Sequence, residues 1–269
     1  MRIARNSSNI AMTATSDSPS ETTINTNIAI TMGPRTLPAF FSSLARSSTT
    51  GAPKRWTLLR NLKSENVNDL TGDLHGTATL APLPPYSVST QNQTHDQAQG
   101  HQDLLYSEEG SLPASFGPGL RWTKKYIWRL SPSGKISVWF VKVDKNYTDG
   151  EEEADYLFHE FNVDSAISTS DDLDTFDVSA SVAAIEASGV NMEQFVVAPV
   201  PPPASGTAST RTRVISARGN HLCIDDMYRT AYSFRIDERS GEVLSWASRH
   251  VVKGPKKGQD IVNFYTRAE

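Results

Sequence analysis

Six histidines, one cysteine and a set of strand-borne arginine, glutamate and tyrosine residues are the groups with which this chain of 269 residues could do chemistry. The densest collection is Gly219-Asn220-His221-Leu222-Cys223-Ile224-Asp225-Asp226-Met227-Tyr228, continuing through residues 229–236. On an unbroken strand His221, Cys223 and Asp225 would share one face, a spacing that a metal could use. The Asp225-Asp226 pair reads instead as a hairpin turn, in which aspartate commonly hydrogen-bonds its own backbone. The expectation is therefore a structural turn beside a buried histidine, with no metal. Past the turn, Tyr228, Thr230, Tyr232, Phe234 and Ile236 alternate with Arg229, Ser233 and Arg235, which gives one bulky face and one charged face.

A second group consists of ionisable residues that alternate with large apolar ones. Arg60 shares a strand face with Trp56, Leu58 and Leu62; Glu108 shares one with Leu104, Tyr106 and Gly110; Arg129 lies in Tyr126-Ile127-Trp128-Arg129. A charge buried in this way must be paired, because an isolated one costs several kcal/mol. An internal Arg–Glu pair completed by tyrosine hydroxyls satisfies that need. The functional alternative is a polar anchor for a carboxylate or phosphate head in an apolar cavity, for which the arginine fork is suited. His159 and His250 sit among apolar strand neighbours, and a histidine in that setting is most often a core residue with a partner. The Gly254-Pro255-Lys256-Lys257-Gly258 stretch lacks the spacing of a phosphate loop and reads as a turn. No Gly-x-Ser-x-Gly, no His-Glu-x-x-His and no adjacent nucleophile and base are present.

The elements that must position these groups are strands. Leu37, Phe40, Phe41 and Leu44 predict one short helix with an apolar face. The rest alternates at period two: residues 56–62; residues 70–80, with Leu70, Gly72, Leu74, Gly76, Ala78 and Leu80 on one face; residues 104–112; 122–130; 136–141; 156–161; 213–223; 228–236; 244–252; and 261–267. Gly72, Gly76 and Ala78 leave room where strands bend or large side chains cross. About ten strands on short turns, with almost no helix between them, exclude crossover units and parallel sheets. An antiparallel up-and-down barrel resolves the edge problem, with the helix plugging one end.

The composition narrows the function. A net charge of -4 and the absence of a basic, aromatic-interleaved patch exclude general attraction to nucleic acid. No apolar run approaches the roughly 20 residues of a membrane-spanning helix, so a soluble protein is expected. A single cysteine leaves no intramolecular disulfide and suits a reducing compartment. The cytoplasm is expected, with a mitochondrial alternative from Arg2, Arg5 and Arg35 among many hydroxyls, against which Asp17 and Glu21 stand. Residues 1–36 are too polar to bury a core and are expected to be a disordered tail. The single domain then spans residues 37–269, with disordered insertions expected near 82–102 and 163–210; the chain is strongly acidic over residues 144–193, read as a solvated surface insertion with a short helix near 181–187 or an acidic docking tail as alternatives.

Taken together, Phe40-Phe41-x-x-Leu44, Trp56-x-x-x-Arg60, Gly72-x-x-x-Gly76-x-Ala78, Leu105-Tyr106-x-Glu108-x-Gly110, Tyr126-Ile127-Trp128-Arg129, Leu157-Phe158-His159, Gly219-x-His221-Leu222-Cys223 and Gly254-Pro255-Lys256-Lys257 resemble domain-of-unknown-function family 6314 over nearly all of residues 37–269. The resemblance implies a calycin-type barrel, similar in outline to lipocalins and fatty-acid-binding proteins, and no established reaction. Arg55 beside Trp56 breaks the lipocalin Gly-x-Trp spacing, so no lipocalin activity is implied. The expected function is binding of a small, largely apolar molecule with one anionic group, through Arg60, Glu108, Tyr126, Arg129, His159, His221, Tyr228 and His250. The alternatives are an enzyme acting on a small lipophilic substrate with an inward acid or base such as Glu108, His159 or His221, an interaction module using the acidic insertion, and a haem barrel with one inward histidine, cofactors otherwise being none.

Overall fold

The computed structural model describes residues 37–84, 101–142, 152–163, 195–204, 211–223, 225–255 and 257–268. The expectations for the tail 1–36, for the helix near 181–187, and for most of the two insertions lie outside the described residues.

One helix, α1 (Leu37–Ala45), precedes ten strands: β1 (Arg55–Ser64), β2 (Gly72–Pro82), β3 (Gln102–Ser111), β4 (Arg121–Leu130), β5 (Ile136–Val141), β6 (Ala154–Val163), β7 (Thr212–Cys223), β8 (Asp226–Asp237), β9 (Val243–Lys253) and β10 (Gly258–Arg267). Each strand pairs antiparallel with its sequence neighbours, and β10 returns to β1 with Leu58 opposite Tyr265 and Arg60 opposite Asn263. The expected up-and-down barrel is thus closed, although among the described residues the β6–β7 seam is pinned by only two register pairs, Asn162 with Arg218 and Val163 with Ala217. The second strand starts at Gly72 rather than Leu70, because the preceding loop leaves through Gly72 at φ 107°, a backbone conformation that favours glycine. A bulge at Leu244 on β9, opposite the Arg235–Ile236 step of β8, brings Val243 into register with Ile236. Val243 is therefore the buried residue at the start of β9, and Leu244, expected on the inner face, is only half-buried.

The helix closes one end. Its apolar stripe buries Phe40, Phe41 and Leu44 fully, with Phe40 meeting Phe234 edge-on at 5.1 Å. The carbonyls that a helix leaves unpaired at its C-terminus are taken up by the barrel. Trp56 Nε1 donates to Leu44 O at 3.2 Å, and the buried Lys54 ammonium donates to Ser43 O at 2.7 Å while pairing with Glu242 at 2.8 Å. Burial, opposed by Glu242, lowers Lys54 to about 8. Below this plug Trp56, Trp128, Phe161, Phe234 and Trp246 pack as a dry layer.

Toward the other end a glycine pair makes room for an aromatic ring. Gly76 on β2 faces Gly110 on β3, and a Cβ at Gly110 would lie 2.6 Å from the Trp122 ring. The indole therefore lies across both glycines, and the Arg60 guanidinium sits 5.0 Å from its ring. The expectation that small residues of β2 make room for crossing side chains holds at Gly76. Replacing Gly110 by valine should displace Trp122, lower stability by about 1–3 kcal/mol and change the near-UV circular dichroism of the indole, as read by denaturant melts of the two proteins.

Candidate functional site

Alternation directs Arg60, Glu108, Tyr126, His159, Tyr228 and His250 into the open half of the barrel, where they line a cavity of about 230 Å³. Closure places β1 beside β10, so groups far apart in sequence, Arg60 and Asn263 among them, meet across that seam. Arg60 Nη2 donates to both carboxylate oxygens of Glu108, at 2.9 and 2.8 Å, and its Nε donates to Asn263 Oδ1 at 2.7 Å. The carboxylate also accepts the Tyr106 hydroxyl, which in turn meets Tyr265 OH at 2.9 Å. Burial, joined by the neighbouring phenol and the Glu108 charge, raises Tyr106 well above the ordinary phenol value, so both phenols stay protonated. The internal Arg–Glu pair with tyrosine hydroxyls is thereby realised, and most of the Arg60 fork is committed to it.

From Asn263 the network runs on to the histidines. Asn263 Nδ2 donates to Ser248 Oγ at 2.9 Å, Ser248 contacts His250 Nε2 at 3.2 Å, and His250 Nδ1 meets Thr230 Oγ1 at 3.2 Å. With Ser248 accepting from Asn263, its own hydroxyl proton is free for Nε2, and Nδ1–H then donates to Thr230. His159 pairs through Nε2 with Tyr232 OH at 2.7 Å, while its buried Nδ1 has no hydrogen-bond partner among the described residues. The two imidazole rings lie 5.7 Å apart.

Lys124 was missed in the sequence. It lies opposite Glu108 in the β3–β4 register, on the phase of Tyr126 and Trp128, and its side chain reaches the cavity from the solvent side. Desolvation and the Arg60 charge lower its pKa, with Glu108 opposing. Among the described residues no ion pair involves Lys124, so the cavity holds the cations Arg60 and Lys124 against the single carboxylate Glu108. Tyr106, Tyr232, Ser248, Asn263 and Tyr265 were also missed as site residues. Each lies at an inward position of its strand, and alternation was the signal that could have found them.

Two of the eight expected residues do not join the site. Arg129 follows the inward Trp128 and so points away from the cavity, where it forks onto Asp103 at 2.9 and 2.7 Å and sits 5.8 Å from the Trp139 ring. His221 stands opposite Tyr228 at the rim, half-buried, and does not line the cavity. Near it Lys257 pairs with Asp226 at 2.9 Å and with Tyr228 OH at 3.1 Å, so this turn lysine is tied to the β7–β8 hairpin. No group of three histidine, cysteine, aspartate or glutamate residues among the described residues is placed to hold a metal ion.

Removing one partner of the buried pair leaves a charge stranded. Arg60→Met should cost about 3–5 kcal/mol, whereas Arg60→Met combined with Glu108→Leu should recover most of that loss in urea melts. The histidines set a second expectation. Burial, His250 and His221 hold His159 well below the ordinary imidazole value, and burial with Arg60 and Lys124 lowers His250 to about 3. An imidazole in the unfolded chain titrates near ~6.5, so below that pH the unfolded chain binds the additional protons. Stability is complete above this value and falls as pH drops toward the folded value of about 3 for His250, by up to about 1.4 kcal/mol per pH unit for each histidine. His250→Gln should flatten that slope in denaturant melts repeated across the interval.

Among the described residues no helix is long and apolar enough to cross a membrane. No curated protein and no solved structure matches the chain. The model of a family of unknown function matches residues 53–185 and 206–267, which include the strands that carry Arg60, Glu108, Lys124, His159 and His250. The chain belongs to that family, DUF6314.

Proposed function

We propose that the barrel binds a small, largely apolar molecule with one anionic group, the anion meeting Lys124 and the body lying against Tyr126, Phe140 and Phe158. The observation that carries this reading is Lys124, an exposed cation without an ion pair among the described residues, lining an aromatic cavity that is partly open to solvent. A cation on low-dielectric walls attracts an anion more strongly than one on an open surface. Arg60 and Glu108 serve the site as its floor and not as the ligand's own anchor, because each is already satisfied by the other. The volume of about 230 Å³ lies below the roughly 300–1,000 Å³ of drug-sized pockets, which favours a compact ligand.

Acid–base chemistry on a small lipophilic substrate is the second reading, favoured by the unpartnered Nδ1 of His159 in the cavity that also holds Glu108. Against it, an imidazole with a strongly lowered pKa is a weak base at neutral pH, and Glu108 is held by Arg60. Haem fits less well, since the cavity is smaller than the pockets of drug-sized ligands and both His250 nitrogens have hydroxyl partners.

Native mass spectrometry of the purified chain, followed by titration with benzoate and with benzamide as its uncharged counterpart, tests the proposal. Benzoate should bind more tightly than benzamide, and Lys124→Met should weaken benzoate about tenfold, the loss of one charge-assisted contact, without altering the thermal melt. Equal binding of the two compounds, or of benzoate to the two proteins, would sink the proposal.

A further inference from the structure

Residues 195–204 run along the outside of the barrel although they fall in the insertion expected to be solvated. Their sequence, Phe-Val-Val-Ala-Pro-Val-Pro-Pro-Pro-Ala, is rich in proline, which lacks a backbone N–H, so the segment offers acceptors it cannot satisfy by itself. The outer faces of β8 and β9 supply the donors. Arg235 Nε donates to Pro202 O at 3.1 Å and its Nη2 to Pro201 O at 3.2 Å, Ser245 Oγ donates to Pro202 O, and Ser233 Oγ to Pro199 O. The arginine fork thus reads two successive carbonyls.

The surface beneath is shaped for such an occupant. Ala231, Ser233, Ser245 and Ala247 occupy the outward positions of β8 and β9, with Ser233 opposite Ala247 and Arg235 opposite Ser245. Outward residues of a barrel normally meet water, yet these four are buried, as is Pro201 above them. Four small side chains flanked by an arginine make a shallow trough. Groove and occupant are also separable along the chain: the family match resumes at residue 206 and contains the whole groove, whereas residues 186–205, which include the strap, lie outside it.

We propose that the outer face of β8 and β9 is a recognition groove for an extended, proline-rich polypeptide, and that this chain fills the groove with its own residues 199–202. Recognition is through main-chain carbonyls spaced by the polyproline conformation, read by Arg235, Ser233 and Ser245, with the small residues admitting the rings. The short tether to β7 holds the strap at a high effective concentration over the groove, so a free peptide competes only when the strap is weakened.

The test uses the full chain and a fluorescein-labelled peptide of residues 195–204, followed by anisotropy. Pro201→Gly with Pro202→Gly loosens the strap by removing its pre-set backbone, and this variant should bind the peptide at least tenfold more tightly than the wild-type chain, in line with the millimolar local concentration of a tethered competitor. Adding Arg235→Ala, or Ser233→Ala with Ser245→Ala, should cancel that gain. A loosened variant that melts cooperatively but binds no better than wild type overturns the proposal, as does a gain that survives both groove variants. Should the loosened variant fail to melt cooperatively, Pro202→Gly alone takes its place against the same groove variants, and binding of the peptide no tighter than by the wild-type chain overturns the proposal.

Discussion

The ion pair between Arg60 and Glu108 is the constraint around which the open half of the barrel is built. Two charges in an aromatic interior are tolerable only when each remaining donor and acceptor is met. Asn263, Tyr106 and, through it, Tyr265 meet them, while Trp122 covers the guanidinium. Trp122 in turn requires the two glycines beneath it. A requirement that begins with one buried arginine thus reaches backbone positions on β2 and β3. The same pair, by using up the arginine, leaves Lys124 as the cavity-lining cation with no ion pair among the described residues.

The two ends divide the labour. At the helix end Lys54, Glu242 and Trp56 tie α1 to the strands, and a layer of large apolar rings excludes solvent. At the other end polar groups line the wall, and the neutral imidazoles of His159 and His250 sit between the ion pair and the aromatic side. A chain of hydrogen bonds from Glu108 through Arg60, Asn263 and Ser248 reaches His250 and Thr230. Such networks polarise along their length, so the charge state of the Arg60–Glu108 pair is felt at His250, whereas His159 stands outside the chain on Tyr232.

Much of the fold was legible in the residues. The apolar spacing from Leu37 to Leu44 marked α1, and period-two alternation marked each strand that carries the site. Arg60 and Glu108 could be paired from their shared setting alone. The site was less legible, for reasons that differ by residue. Arg129 was grouped with Arg60 by its chemistry, although its phase, opposite to Trp128, already turned it outward. Lys124 lay hidden in the polar run from Arg121 to Lys125, where only strict counting from Tyr126 picks it out. Asn263 and Ser248 carry no local signal of a role, because their part depends on the pairing of β10 with β1 and β9, a long-range register. The proline strap has no hydrophobic period at all, and its place follows from carbonyls that need donors.

The seam between β1 and β10 has a consequence for how the molecule comes into being. Trp56 and Arg267 are register partners that lie at opposite ends of the barrel-forming chain. A ribosome delivers the N-terminal partner long before the C-terminal one, so for most of synthesis β1 has an unpaired flank and Arg60 lacks Asn263. Contacts of such sequence separation make closure slow, and an open flank invites pairing with another nascent chain. The final strand therefore acts as a proofreading step for the whole: until it docks, neither the hoop nor the polar lining it completes exists.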